Sequence, residues 1–175
     1  LLPYLAVVVG LAFLLLMLVF RSVLVPIKAT LGFLLSLAAT FGALVALLQW
    51  GWGAGLLGVD RTGPIVSSLP IVVIGIVFGL AMDYQVFLVT RMREDYVHGA
   101  APREAVITGF GHSARVVTAA ALIMVSVFAG FIIAPDPFIK SIGFALSAAV
   151  LFDAFVVRMT IVPAVMTLLG KAAWW

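Results

Sequence analysis

The sequence predicts an all-α, polytopic membrane protein: a bundle of five transmembrane helices. Three observations carry this. Of 175 residues, 65% are hydrophobic and only 10% charged, where a soluble domain carries roughly a quarter. Mean hydropathy is +1.32. Five apolar runs are each long enough to cross a hydrocarbon core of about 30 Å. Backbone polar groups find no water in lipid, so such runs must close their own hydrogen bonds as helices.

The expected spans lie at about 1–20, 29–49, 65–90, 116–134 and 141–165, forming one transmembrane domain over 1–175. The first has no basic leader and no small-residue cleavage site, so it reads as a span rather than a signal peptide. A chain that starts at Leu1 rather than Met is expected to be part of a longer one. The loops set orientation. Arg21 and Lys28 flank the loop 21–28, and Arg91, Arg93, Arg103 and Arg115 lie in 91–115. Lys171 follows the last span, and all of these fall on one side if the helices alternate. The other side holds Arg61 and Lys140, each near an aspartate, Asp60 and Asp136. The positive-inside rule therefore places 21–28, 91–115 and the C-terminus in the cytoplasm of a cell with this protein in its plasma (inner) membrane.

Between the second and third spans, Trp50 and Trp52 open a glycine-rich external loop at 50–64 and suit an interfacial anchor. Pro64 and Pro70 flank the start of the third span as helix-start features. In the loop 91–115, Pro102 fits the first turn of a helix and Glu104 its positive end. A short helix at about 102–113 is expected to lie on the cytoplasmic surface before the fourth span.

Chemistry concentrates in the third span. Asp83 stands 8 residues before Arg91, roughly 12 Å from that polar boundary at the rise of an α-helix. A carboxylate at such depth is costly and usually faces a bundle interior and does work. Gly75, Gly79 and Asp83 are spaced by four and share a face, so another helix can approach closely there. With no Lys or Arg at matching depth on its span, Asp83 is expected to exchange protons. Tyr84 points about 100° away around the helix and suits a carboxylate on another helix. Asp153 is a second buried carboxylate, with Arg158 five residues on. On an α-helix that spacing is roughly 140° around, a poor pair, and Arg158 is expected to snorkel toward the cytoplasmic end. Thr118 and Ser126 are weaker candidates for a supporting role, because membrane hydroxyls tend to bond their own backbone. Pro163 is expected to kink or end the last helix.

Several classes find no support. The chain has no cysteine, and His98 and His112 stand 14 residues apart without ligand partners, so no metal or other cofactor is expected. A net charge of +3 without a basic, aromatic-interleaved patch does not suggest nucleic acid. No Ser-His-Asp set, phosphate-binding glycine loop or HExxH motif supports an enzyme.

The stretch Gly79-Leu-Ala-Met-Asp83-Tyr84-Gln-Val-Phe-Leu-Val-Thr-Arg91-Met-Arg93-Glu94-Asp95-Tyr96 resembles the tenth transmembrane helix of MmpL-type members of the RND (resistance-nodulation-division) superfamily. Gly109 to Met124 is similar to the entry of their eleventh helix, and Phe152 to Trp175 to their last helix and its exit. The resemblance covers essentially the whole chain and implies helices eight to twelve of such a transporter. It implies proton-driven export of lipids or other hydrophobic compounds, with Asp83 and Tyr84 facing a matching Tyr and Asp on a helix of the N-terminal half as a proton relay. It is a family common in actinobacteria. The alternative is a membrane module that does not transport, either lipid-sensing or accessory to protein translocation.

Overall fold

The computed structural model of the chain describes residues 1–52, 55 and 67–170. Five helical columns, each long and apolar enough to cross a membrane, make up the described residues, which contain no strand. The glycine-rich segment 53–66 (apart from 55), with Asp60, Arg61 and Pro64, and the end 171–175 lie outside the described residues.

Helix α1 spans Leu2–Phe20 and is stopped by Arg21, whose φ of 46° is left-handed. Helix α2, Leu24–Leu48, starts earlier than expected. Its Pro26 sits in the first turn, where a missing N–H costs nothing, so the expected loop 21–28 shrinks to three residues. Lys28 is therefore a helix residue, and a buried one. Helix α3, Leu69–Val97, runs on through the charged stretch after Thr90. Those charges suit a helix as well as a loop: Met92 is fully buried and Arg91 pairs with Glu94 one turn on, at 3.3 Å.

Helix α4, Pro102–Ile132, joins what the sequence divided. The surface helix expected at 102–113 and the span expected at 116–134 are one unbroken helix. Within it Gly109 packs on α3: a Cβ there would lie 2.7 Å from Met92 Cα. Helix α5, Pro137–Leu151, is capped by Asp136, whose Oδ1 accepts from the N–H groups of Phe138 and Ile139 at 2.8 and 3.2 Å. The column then winds as a π-helix over Phe152–Ile161 and returns to an α-helix, α6, at Val162–Leu169. Pro163 falls in the first turn of α6, so it neither ends nor interrupts the column.

Three apolar clusters fill the interior of the described residues, the smallest joining Val117 and Ala121 of α4 to Val150 and Ala154. One gathers Phe33, Leu44, Val73, Ile74 and Leu146, with the Phe33 and Phe78 rings edge to face at 5.5 Å. Another gathers Phe20, Val25, Leu88, Met92, Val162 and Met166. Hydrophobic burial outside water cannot drive helices together in lipid, so close packing carries the fold. Gly143 shows how close: an added Cβ would stand 2.7 Å from both the Phe128 carbonyl oxygen and Phe131 Cβ, so α5 lies directly against α4.

Candidate functional site

Helix α3 carries Asp83 and Tyr84 on different faces. Its buried face is Val73, Val77, Ala81, Gln85 and Leu88. Gly75, Gly79 and Asp83 run along the opposite, exposed face. A Cβ on Gly79 would meet nothing within 4 Å, and one on Gly75 would meet only the Tyr4 hydroxyl of α1, at 3.0 Å. Asp83 therefore lies on the outer surface of the five-helix core rather than in its interior. The residues that fill the core claim the other side of α3. Asp83 opens onto a furrow of about 380 Å³ that continues past Val86, Phe87 and Thr90 to Arg91 and Glu94. No ion pair reaches Asp83 among the described residues.

Tyr84 turns inward. Its hydroxyl donates to Met124 Sδ on α4 at 3.6 Å. Its ring lies beneath the Arg158 guanidinium, with Cζ 4.8 Å from the ring centroid, a cation–π contact. Beside it is a small cavity of about 10 Å³ lined by Val77, Leu80, Tyr84, Ala149, Val150 and Asp153. That is roughly room for one water.

Asp153 and Arg158 form a buried ion pair, Nε to Oδ2 at 2.6 Å. This corrects the α-helical reading of their spacing. In the π-helical segment each turn closes on the fifth residue, as the Val162 N–H to Val157 carbonyl bond shows. The Thr160 hydroxyl likewise donates to the Phe155 carbonyl, five residues back, at 3.1 Å. Residues five apart are thus brought to one face. Nor does Arg158 snorkel: it is 2% exposed, and its Nη2 donates to the Ala81 carbonyl of α3. The second oxygen of Asp153 accepts from Ser36 Oγ of α2 at 3.3 Å.

Of the weaker candidates, Thr118 donates to its own Ala114 carbonyl at 2.7 Å and Ser126 to its own Leu122 carbonyl at 2.8 Å. Both bond within α4, and neither reaches Asp83. The structure thus gathers Tyr84, Asp153 and Arg158 and leaves Asp83 on the far side of the same helical turn.

Sequence reasoning missed Ser36 and the pairing of Arg158. A signal for Ser36 was present: Gly32, Ser36 and Thr40 recur every four residues, a small polar stripe in an otherwise apolar span. The π winding has no such signal, since the hydrophobic pattern is compatible with ordinary α-helix.

The family profile described as "MMPL family" matches residues 3–175. Similar proteins include membrane protein YdfJ of Bacillus subtilis, 56% identical over 168 residues, 96% of this chain and 23% of that protein. The heme uptake protein MmpL11 of Mycobacterium tuberculosis is 45% identical over 164 residues, 94% of this chain and 17% of that protein. The trehalose monomycolate exporter MmpL3 of the same species is 42% identical over 161 residues, 92% of this chain and 17% of that protein. The chain spans about a fifth of the length of the relatives it matches, 17 to 23%.

Proposed function

The chain belongs to the MMPL family, and from that premise we propose that it supplies part of the transmembrane proton relay of an exporter driven by the proton-motive force. Its substrates are lipids or other hydrophobic compounds, as the name of the relative MmpL3, a trehalose monomycolate exporter, suggests for that class. Asp83 is the proton carrier, presented to an N-terminal half of the same transporter that brings a matching Asp-Tyr helix, and Tyr84 joins the relay from the inner side of the same helix, through its contact with Arg158. Asp153 supports them from inside this segment. The protein sits in the plasma (inner) membrane with the C-terminus and the basic segments 21–28 and 91–115 on the cytoplasmic side.

One observation carries the reading. α3 turns a carboxylate and the open Gly79 out of its own bundle, while the adjacent tyrosine turns in to a buried Arg–Asp pair. An acid placed so is silent within these five helices and is presented to a second body. Protonation from outside would neutralise Asp83 and let the two bodies repack, and release to the cytoplasm would reset them. The furrow from Asp83 to Arg91 and Glu94 offers that release a direction.

The test is proton flux by the full-length transporter in vesicles of phosphatidylethanolamine and phosphatidylglycerol enclosing a pH-sensitive dye. Asp83→Asn is expected to abolish flux while leaving the protein in the membrane. Flux that survives the substitution would refute the relay and favour a lipid-sensing or translocation-accessory module.

A further inference from the structure

We propose that Ser36 is a positioning residue of the relay: it fixes the Asp153 carboxylate so that Arg158 is held against the helical turn that carries Asp83 and Tyr84. The inference rests on the relay reading above.

The Asp153 carboxylate is divided between two donors, Ser36 at Oδ1 and Arg158 at Oδ2. All three side chains are buried. Serine is short, so α2 must come close to the π-helical segment for the hydroxyl to reach. Gly32, one turn earlier on the same face, permits that approach, since a Cβ there would stand 2.8 Å from Val157 Cγ1. Thr40, one turn later, spends its hydroxyl on the Ser36 carbonyl at 2.7 Å and so does not compete for the carboxylate.

With one carboxylate oxygen occupied by Ser36, Arg158 uses only Nε on Asp153. The rest of the guanidinium is free to donate to the Ala81 carbonyl and to cover the Tyr84 ring. Ala81 precedes Asp83 by two residues. A path of direct contacts therefore crosses three helical columns, from Ser36 through Asp153 and Arg158 to the relay turn. Without the Ser36 hydroxyl, Oδ1 is a buried acceptor lacking its donor. The carboxylate can then swing to take both nitrogens of the guanidinium edge, the bidentate geometry arginine favours. That draws the guanidinium off Ala81 and Tyr84.

The charged and titratable groups around Asp153 are few. Arg158 stands on its own column, and on α3 stand Tyr84 and, through Arg158, Asp83. From α2 comes the Ser36 hydroxyl at this level, with Lys28 two turns earlier in the helix. From α4, Thr118 and Met124 are neutral.

The experiment measures proton flux against pH for the full-length transporter in the same dye-loaded vesicles, comparing wild type, Ser36→Ala, Ser36→Thr, Ser36→Cys and Asp83→Asn. Ser36→Ala should lower flux about tenfold, the worth of one hydrogen bond to a charged group. It should also displace the pH profile by about half a unit or more, because a change at a coupled site alters the titration of the whole set. Ser36→Thr, which keeps the hydroxyl, should retain the wild-type profile. A Ser36→Ala variant with wild-type flux and profile overturns the proposal, and so does one whose flux falls equally at every pH, as a merely structural role would give. If Ser36→Ala does not accumulate, Ser36→Cys, of similar size and a weak donor, is judged by the same two criteria. Asp83→Asn separates the two readings: flux that persists there sinks the relay itself, whereas its loss beside an unaltered Ser36→Ala sinks only this role of Ser36.

Discussion

Arg158→Met should be among the most damaging single changes to this chain. It leaves the Asp153 carboxylate buried without its cation and the Ala81 carbonyl without its extra donor. Removing one partner of a buried pair typically costs about 3–5 kcal/mol. The double change Asp153→Asn with Arg158→Met should be milder than either single change, because no charge is then stranded. Unfolding of the full-length protein in detergent checks this. Arg158→Lys should not rescue, since one planar fork serves Asp153, the Ala81 carbonyl and the Tyr84 ring at once. At this scale the sequence was half legible. Depth alone singled out Asp83 and Asp153, because a charge within an apolar run has few reasons to be there. Which groups meet was not legible, because the five-residue spacing was read on the α-helical period and the chain winds otherwise at that place.

Helices in lipid are held by how near their backbones come, and the glycines divide sharply on that measure. Gly143 lies where a Cβ would press on the Phe128 carbonyl and Phe131 Cβ, whereas a Cβ on Gly130, near the same α4–α5 turn, meets nothing within 4 Å. Gly143→Ala should therefore destabilise by about 1–3 kcal/mol, as overpacked interiors do. Gly130→Ala should be neutral or stabilising by up to about 1 kcal/mol, from helix propensity. Thermal unfolding of the two variants side by side decides it, and equal melting temperatures would contradict the packing account. The five apolar columns were readable from length and hydropathy. Their ends were not, for two different reasons. Pro26 and Lys28 look like loop residues but fit a first turn, and the charged residues after Thr90 continue a helix as readily as they end one. The surface helix expected at 102–113 runs straight into the fourth span, and Gly109 within it serves close contact with Met92.

On the scale of the whole molecule, the arrangement has a directional asymmetry. Polar groups that can be satisfied within these five helices are turned inward, as Ser36, Asp153 and Arg158 are. Asp83 is turned outward on a face kept low by Gly75 and Gly79. A lone lipid-facing carboxylate would be penalised with no return, and a flat glycine face serves the close approach of another helix. If that face seats the other half of the transporter, bulk added at Gly79 should matter only in the assembled protein. A Cβ at Gly79 meets nothing within 4 Å inside this segment, and the same is true at Gly130, so a leucine at either position starts into open space. In the full-length transporter, Gly79→Leu should cut proton flux by about tenfold or more, the effect of about 1.4 kcal/mol or more against the productive arrangement of the halves. Gly130→Leu, flanked on α4 by the exposed apolar side chains Val127 and Phe131, should leave flux within about twofold of wild type on the same scale. Flux measured on both variants at matched protein levels distinguishes the two faces, and equal behaviour would mean that the Asp83 face is not the seam.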